Sequence, residues 1–226
     1  MSRYSDILLL QSAQVRVDGR IVLRDIHMSI GEGEFCYLRG QSSSGKTALV
    51  YGLHGIYRID GSIIHVCGRD IVDLSPTELA HHRRNIGLIA EVYPLISNKT
   101  VFQNLDMILS SIEWNVASDR EKRISEVLDQ AGLSHIQSET VNTLSYGLQK
   151  KVMIARAVLN RPKLILADSP TAGLDNKSID EVMALLINLA SEYQSSILWA
   201  TAGDYLPDRY PARSYLCADG TVTEMS

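Results

Sequence analysis

LRGQSSSGKTALV, residues 38–50, decides the fold. Within it, Gly40-Gln41-Ser42-Ser43-Ser44-Gly45-Lys46-Thr47 fits the pattern G-x-x-x-x-G-K-[ST]. The apolar EFCYLR (34–39) before it reads as a strand, and TALVYGLHGI after residue 46 reads as a helix. A loop in that setting is built for phosphate. Its glycines let the backbone wrap an anion without a Cβ in the way. Successive N–H groups and the helix N-terminus point at the negative charge. Lys46 reaches the outer phosphates, and the Thr47 hydroxyl can ligate Mg²⁺. The bland reading is a Gly/Ser-rich connecting loop with a stray lysine. The pattern and its context predict binding of a nucleoside triphosphate.

Working outward, short apolar runs alternate with longer helical patterns. ILLLQSA (7–13), SIIHVC (62–67), NIGLIAE (85–91), KLILADS (163–169) and SSILWAT (195–201) read as further strands. The last three are nearly all apolar, as strands covered on both faces are. A helix is predicted over 118–131, capped by Ser118 or Asp119 and ended by Gly132. Leu148, Val152, Ala155, Val158 and Leu159 share one helical face, and so do Ile179, Val182, Met183, Leu186 and Leu189. The alternation predicts an α/β fold with a largely parallel sheet. Residues 92–145 are expected to form a helical lobe inserted in one domain spanning 1–226. Asp219-Gly220 predicts a closing hairpin.

Composition narrows the function. The formal net charge is −4, so no general basic field draws nucleic acid. Cys36, Cys67 and Cys217 are odd in number and far apart, which argues against a disulfide framework. No run approaches the ~18 apolar residues of a membrane span, so work at a membrane needs another chain to supply it.

The apolar run 163–167 ends on Asp168. Two readings are open for this acid, a Mg²⁺ contact beside the phosphate loop or a helix cap or turn. The loop favours the metal.

Further stretches carry a resemblance. LSYGLQKKVMIARAVLNRPKLILADSPTAGLD (144–175) resembles the signature, Walker B strand and D-loop of ABC-transporter nucleotide-binding domains, in that order and spacing. NIGLIAEVYPLISNKTVFQNL (85–105) resembles their Q-loop region. Within the family, RRNIGLIAE, LISNKTVFQNL and the ending ILWATAGDYLPDRYPARSYLCADG are similar to the FtsE group of cell-division ATPases and the related lipoprotein-release ATPases. The resemblance implies a P-loop NTPase core, an ABC-type antiparallel β subdomain and a helical signature subdomain. It implies ATP and Mg²⁺ as ligands, the latter held by Thr47, Asp168 and Glu91. It implies a homodimer or heterodimer of ATP-binding subunits, with ATP sandwiched head to tail. It also implies an integral, FtsX-like membrane subunit as partner, and a peripheral place on the cytoplasmic face of the inner membrane.

The same resemblance exposes departures. The position of the family's catalytic glutamate is Ser169, which cannot take a proton from attacking water as a carboxylate does. The Q-loop glutamine position is Glu91, and the switch-histidine position is Ala202, with no histidine after His135. In the signature, Ser145 and Gly147 remain, while Tyr146 replaces a glycine and can crowd the nucleotide. Asp175 takes the D-loop position, where it organises the facing subunit or is simply a turn acid. The expectation is a site that binds ATP with hydrolysis impaired. A working ATPase and a degenerate scaffold are the alternatives.

Other residues have two readings each. Arg16, near the family's adenine-stacking position, can stack its guanidinium on the base. HHRR (81–84) is a phosphate or lipid-headgroup site or a solvated helix end. Tyr93, Leu95 and Ile96 form a groove for a helix of the membrane partner or ordinary core.

Overall fold

The computed structural model describes residues 6–90, 94–112 and 114–225. Two sheets sandwich the helix that follows the phosphate loop. The first is antiparallel, built from β1 (Leu8–Val17), β2 (Arg20–Ile30), β4 (Arg58–Asp60), β5 (Ile63–Val66) and β6 (Arg69–Asp70). The second holds β3 (Phe35–Arg39), β7 (Ile86–Ile89), β8 (Leu164–Asp168), β9 (Ser196–Thr201), β10 (Arg213–Ala218) and β11 (Thr221–Glu224). Its order is β11-β10-β3-β9-β8-β7, parallel throughout except for the β10–β11 hairpin.

The parallel strands are apolar along their length because both faces are covered. In β8, Leu164 and Leu166 face one core, shared with the antiparallel sheet and α1 (Lys46–Leu53). Ile165 and Ala167 face the other. That second core lies beneath α3 (Val101–Ser110), α4 (Ala117–Gln130), α5 (Tyr146–Val158) and α6 (Asn176–Glu192). Val152, Ala155, Val158 and Leu159 are fully buried there, with Leu148 and Ile179 packed at its margin. Arg123 of α4 bolts the helices together from a buried position. Its guanidinium donates to the Val158 and Leu159 carbonyls at 3.1 and 2.8 Å and lies over the Tyr193 ring.

Several expectations change. β1 runs past residue 13 to Val17, and β2 is a full strand that the sequence pattern hides. Both carry irregularities: Ser12 and Asp25 have φ of 47° and 48°, and the β1–β2 register shifts between Leu10 and Ala13. A bulge breaks the period-2 alternation on which strand recognition depends. Neither Ser118 nor Asp119 caps α4. The helix starts earlier, with Val116 at the cap position and no side-chain cap bond. Arg120 ties the first turn to the preceding chain and to α3, donating to the Trp114 carbonyl at 2.8 Å and to Asp106 at 2.6 Å. Gly132 does sit just past the end, at φ 67°.

The HHRR cluster closes α2 (Pro76–Arg84), with His81 exposed and the next two residues turned inward. His82 is fully buried, bonded through Nε2 to the Leu53 carbonyl at 2.7 Å. Arg83 donates to the His54 and Gly55 carbonyls at 3.3 and 2.9 Å. These side chains satisfy carbonyls at the end of α1, where cations are favoured. The closing hairpin stands as expected, with Asp219 and Gly220 both at positive φ, 50° and 75°.

Candidate nucleotide site

β3 delivers the chain to the carboxyl rim of the parallel sheet, where ligands bind in open α/β folds. The next residue, Gly40, has φ 155°, and a Cβ there would lie 2.4 Å from the Cys217 carbonyl oxygen of β10. Only a glycine lets the loop pass this close to a neighbouring backbone. The loop then turns through Ser43 (φ 64°) and Gly45 (φ 109°) into α1. Gly45 is the cap residue and supplies no side-chain bond, so the first N–H groups of α1 remain for an anion. Lys46 folds over the loop, its Nζ donating to the Gly40 and Gln41 carbonyls at 2.6 Å each and to Ser44 Oγ at 3.3 Å. Burial lowers its pKa, and the Asp168 carboxylate acts in the opposite direction.

Asp168 ends β8 beside the loop. Thr47 Oγ1 donates to Asp168 Oδ1 at 3.2 Å. This all-oxygen pair suits a hard cation, and Mg²⁺ is commonly held by one or two protein oxygens plus substrate phosphates. Asp168 caps no helix. Ser169 follows it at φ 48°, its N–H bonded to the Ala200 carbonyl at 3.1 Å. Asp168 pairs with Ala200 in the β8–β9 register, so Ala202 stands two residues further along β9's exit, exposed. Glu91 and Tyr93 lie outside the described residues.

The remaining candidates sit on other elements. Ser145 caps α5, its hydroxyl accepting from the Leu148 N–H at 3.3 Å. Tyr146 is 47% exposed. Its ring lies 4.9 Å from the Lys150 ammonium and against Gly173, where an added Cβ would be 3.3 Å away. The tyrosine therefore joins the signature to the D-loop of its own chain. Nothing lies within 4 Å of a Cβ built on Gly147, which leaves the backbone there open to a ligand. Asp175 caps α6, accepting from the Ser178 N–H at 3.0 Å, and that bond pulls its carboxyl below the usual range. Here the turn-acid reading describes the contacts within the chain. Arg16 is engaged by Asp60 at 3.2 Å, and Arg58 pairs with the same carboxylate. The ion pair engages the edge of the Arg16 guanidinium, whose side chain stays 34% exposed.

One supporting residue carries no sequence signal. Cys217 Sγ donates to the Ser44 carbonyl at 3.1 Å, bracing the loop from β10. Only the strand order places residue 217 behind residue 44. Cys36 is core, as expected.

A strand–loop–helix cradle, a threonine–aspartate pair and a helical signature follow one another as in a single known family, and residues 23–172 match the model described as "ABC transporter". The chain belongs to the ABC transporter family. It is an ATP-binding domain of that family. Its relatives include the cell division ATP-binding protein FtsE of Streptococcus pneumoniae, 33% identical across 91% of this chain and 88% of that protein. The lipoprotein-releasing system ATP-binding protein LolD 1 of Rhodopseudomonas palustris is 34% identical, across 83% and 84%. The methionine import ATP-binding protein MetN of Rhizobium johnstonii is 35% identical across 87% of this chain but 54% of its own. Among solved structures, the dimeric cassette MJ0796, in a post-hydrolysis state with ADP and Pi, superposes with a TM-score of 0.83. Its identity is 29%, over 97% of both chains. The ABC-transporter ATP-binding domain thus has the P-loop core, β subdomain and helical signature subdomain that its motifs imply. No helix among the described residues is long and apolar enough to cross a membrane.

Proposed function

We propose that this domain is the ATP-binding subunit of an FtsE/FtsX-like complex. It links nucleotide state to cell division or wall remodelling at the cytoplasmic face of the membrane, with hydrolysis strongly impaired. One observation carries the reading: the Thr47–Asp168 pair is intact, yet the residue after Asp168 is Ser169. The groups that hold Mg-ATP are present, while the carboxylate that would activate water is not. Loss of a general base typically costs about 10²–10⁴ in rate. Losses within one catalytic unit do not multiply, so Ala202 deepens the defect by less than its separate effect. Binding can still drive subunit closure, because closure needs only a higher ATP affinity in the closed state. The likeness to FtsE of Streptococcus pneumoniae, 33% identical across 91% of this chain, supports the reading.

A groove of 470 Å³ supports a helical partner. Its walls include Leu88, Pro94, Met107, Ile108 and Ile112, with Arg83 at the edge. Met107 is 44% exposed. This is where we place a cytoplasmic helix of the membrane subunit. Of the residues the sequence suggested for it, Leu95 packs half-buried against the second core and Ile96 is 36% exposed, and neither lines this groove.

The deciding experiment measures Mg-ATP binding and phosphate release on the same purified sample. Tight binding without turnover supports the proposal. Turnover that disappears in Lys46→Ala supports a working ATPase, a reading favoured by the similar identity to LolD 1, 34% across 83% of this chain. No binding at all leaves a scaffold.

A further inference from the structure

Arg39 is the last residue of β3 and immediately precedes the cradle. In strand register it pairs with Thr201 of β9, the residue before Ala202. Its Nη2 donates to Asp204 Oδ1 at 2.5 Å. Asp204 is 73% exposed and the arginine 24%, so a largely sheltered cation is held by a carboxylate standing in water. Lys46 Nζ, the group expected to meet the outer phosphates, lies 2.6 Å from the carbonyl of Gly40, the very next residue. The lysine ammonium and the Arg39 side chain thus start from adjacent points on the carboxyl rim of the sheet.

We propose that Arg39 is a second phosphate-binding cation, resting on the reading of the cradle as an ATP site. When a nucleoside triphosphate occupies it, the guanidinium leaves Asp204 for the terminal phosphate. It supplies from β3 the polar group that β9 lacks at Ala202. An ion pair whose carboxylate stands in water is weak. A planar guanidinium on a phosphate makes charge-assisted, bidentate bonds, which are stronger. The exchange therefore runs toward the phosphate. Its consequence lies beyond the site, because Asp204 opens α7 (Tyr205–Arg209), and Arg209 and Tyr210 both bond Asp180 of α6. Releasing Asp204 loosens the tie between cradle and α7, so the presence of a third phosphate is read without its phosphoanhydride bond being broken.

The test compares Mg-ATP and Mg-ADP affinities by calorimetry for the full chain and for Arg39→Ala, Arg39→Lys and Asp204→Asn. A contact to the terminal phosphate predicts that Arg39→Ala weakens ATP about 10- to 100-fold and leaves ADP within about twofold. Arg39→Lys falls between. Asp204→Asn, which removes the competitor, tightens ATP a few-fold. The unchanged ADP affinity doubles as the folding control. Equal losses for both nucleotides would show a structural role. Unchanged ATP affinity in Arg39→Ala, or a loss in Asp204→Asn that matches it, would leave the pair a fixed brace. If the parent chain binds neither nucleotide, the ATP-site reading fails and takes this one with it. If the parent binds ATP and the variants do not differ, only the role of Arg39 falls.

Discussion

Thr47 and Asp168, separated by 121 positions in the chain, meet at 3.2 Å where β8 ends beside the first turn of α1. The contact sets a hydroxyl and a carboxylate side by side at the mouth of the phosphate cradle. Asp168→Asn keeps the shape and removes the charge. It is expected to weaken ATP binding at least about tenfold when Mg²⁺ is present, while metal-free ATP binding changes little. Titrations with Mg²⁺ and with a chelator measure both. Equal effects in the two would place Asp168 outside the metal's reach.

Ser169→Glu restores one carboxylate after Asp168. Full family-like turnover is not expected, because Ala202 and Glu91 remain and the members of a catalytic unit act together. Steady-state phosphate release checks this. A single mutant turning over as fast as an intact relative would show that the two other positions matter little.

Gly40→Ala places a Cβ 2.4 Å from a backbone carbonyl that cannot swing aside. Gly45→Ala is strained by its φ of 109° and meets buried Leu23 at Cδ2 (2.7 Å) and Cγ (3.1 Å), but a side chain gives more readily than backbone. The first substitution is expected to cost about 1–3 kcal/mol of stability and most nucleotide affinity. The second costs less. Urea unfolding and ATP titration of the pair test the order, and a reversed order would contradict the described path of the loop.

His54, at the end of α1, is held far below its usual value of 6.5, at about 3, chiefly by burial and then by the positive charges of Arg83 and His82. The folded protein keeps this ring neutral, whereas the unfolded chain protonates it below pH 6.5. The stability it contributes is therefore complete above 6.5 and is lost as pH falls toward 3. Between pH 7 and 5 the loss from this ring is about 2 kcal/mol. Urea unfolding at those two pH values should show a smaller drop in His54→Gln than in the parent by that amount. Parallel drops would mean that the ring is hydrated.

The sequence displayed the cradle because phosphate chemistry demands particular residue types at fixed, local spacing, and Gly40–Thr47 satisfy it in eight consecutive positions. It displayed β7, β8 and β9 because strands buried on both faces must be apolar throughout. It concealed β2, whose bulge at Asp25 breaks the alternation. It also misplaced the start of α4, which begins one residue before Ser118 with Val116 at the cap position and no side-chain cap bond. The HHRR cluster misled in the same way. Charge suggests solvent or an anion, but only packing puts His82 and Arg83 against the open carbonyls of α1.

By itself, then, the sequence determined the family, the phosphate loop, the acid at the end of β8 and the serine that follows it. Each is written in neighbouring residues. Tertiary structure alone decided which distant groups stand around the loop: Cys217 behind Ser44, Asp60 on Arg16, Asp204 on Arg39. Those pairings depend on strand order and register, which bring together residues up to 173 positions apart. No local pattern encodes them, because the free energy that fixes the order comes from burying both faces of the whole sheet.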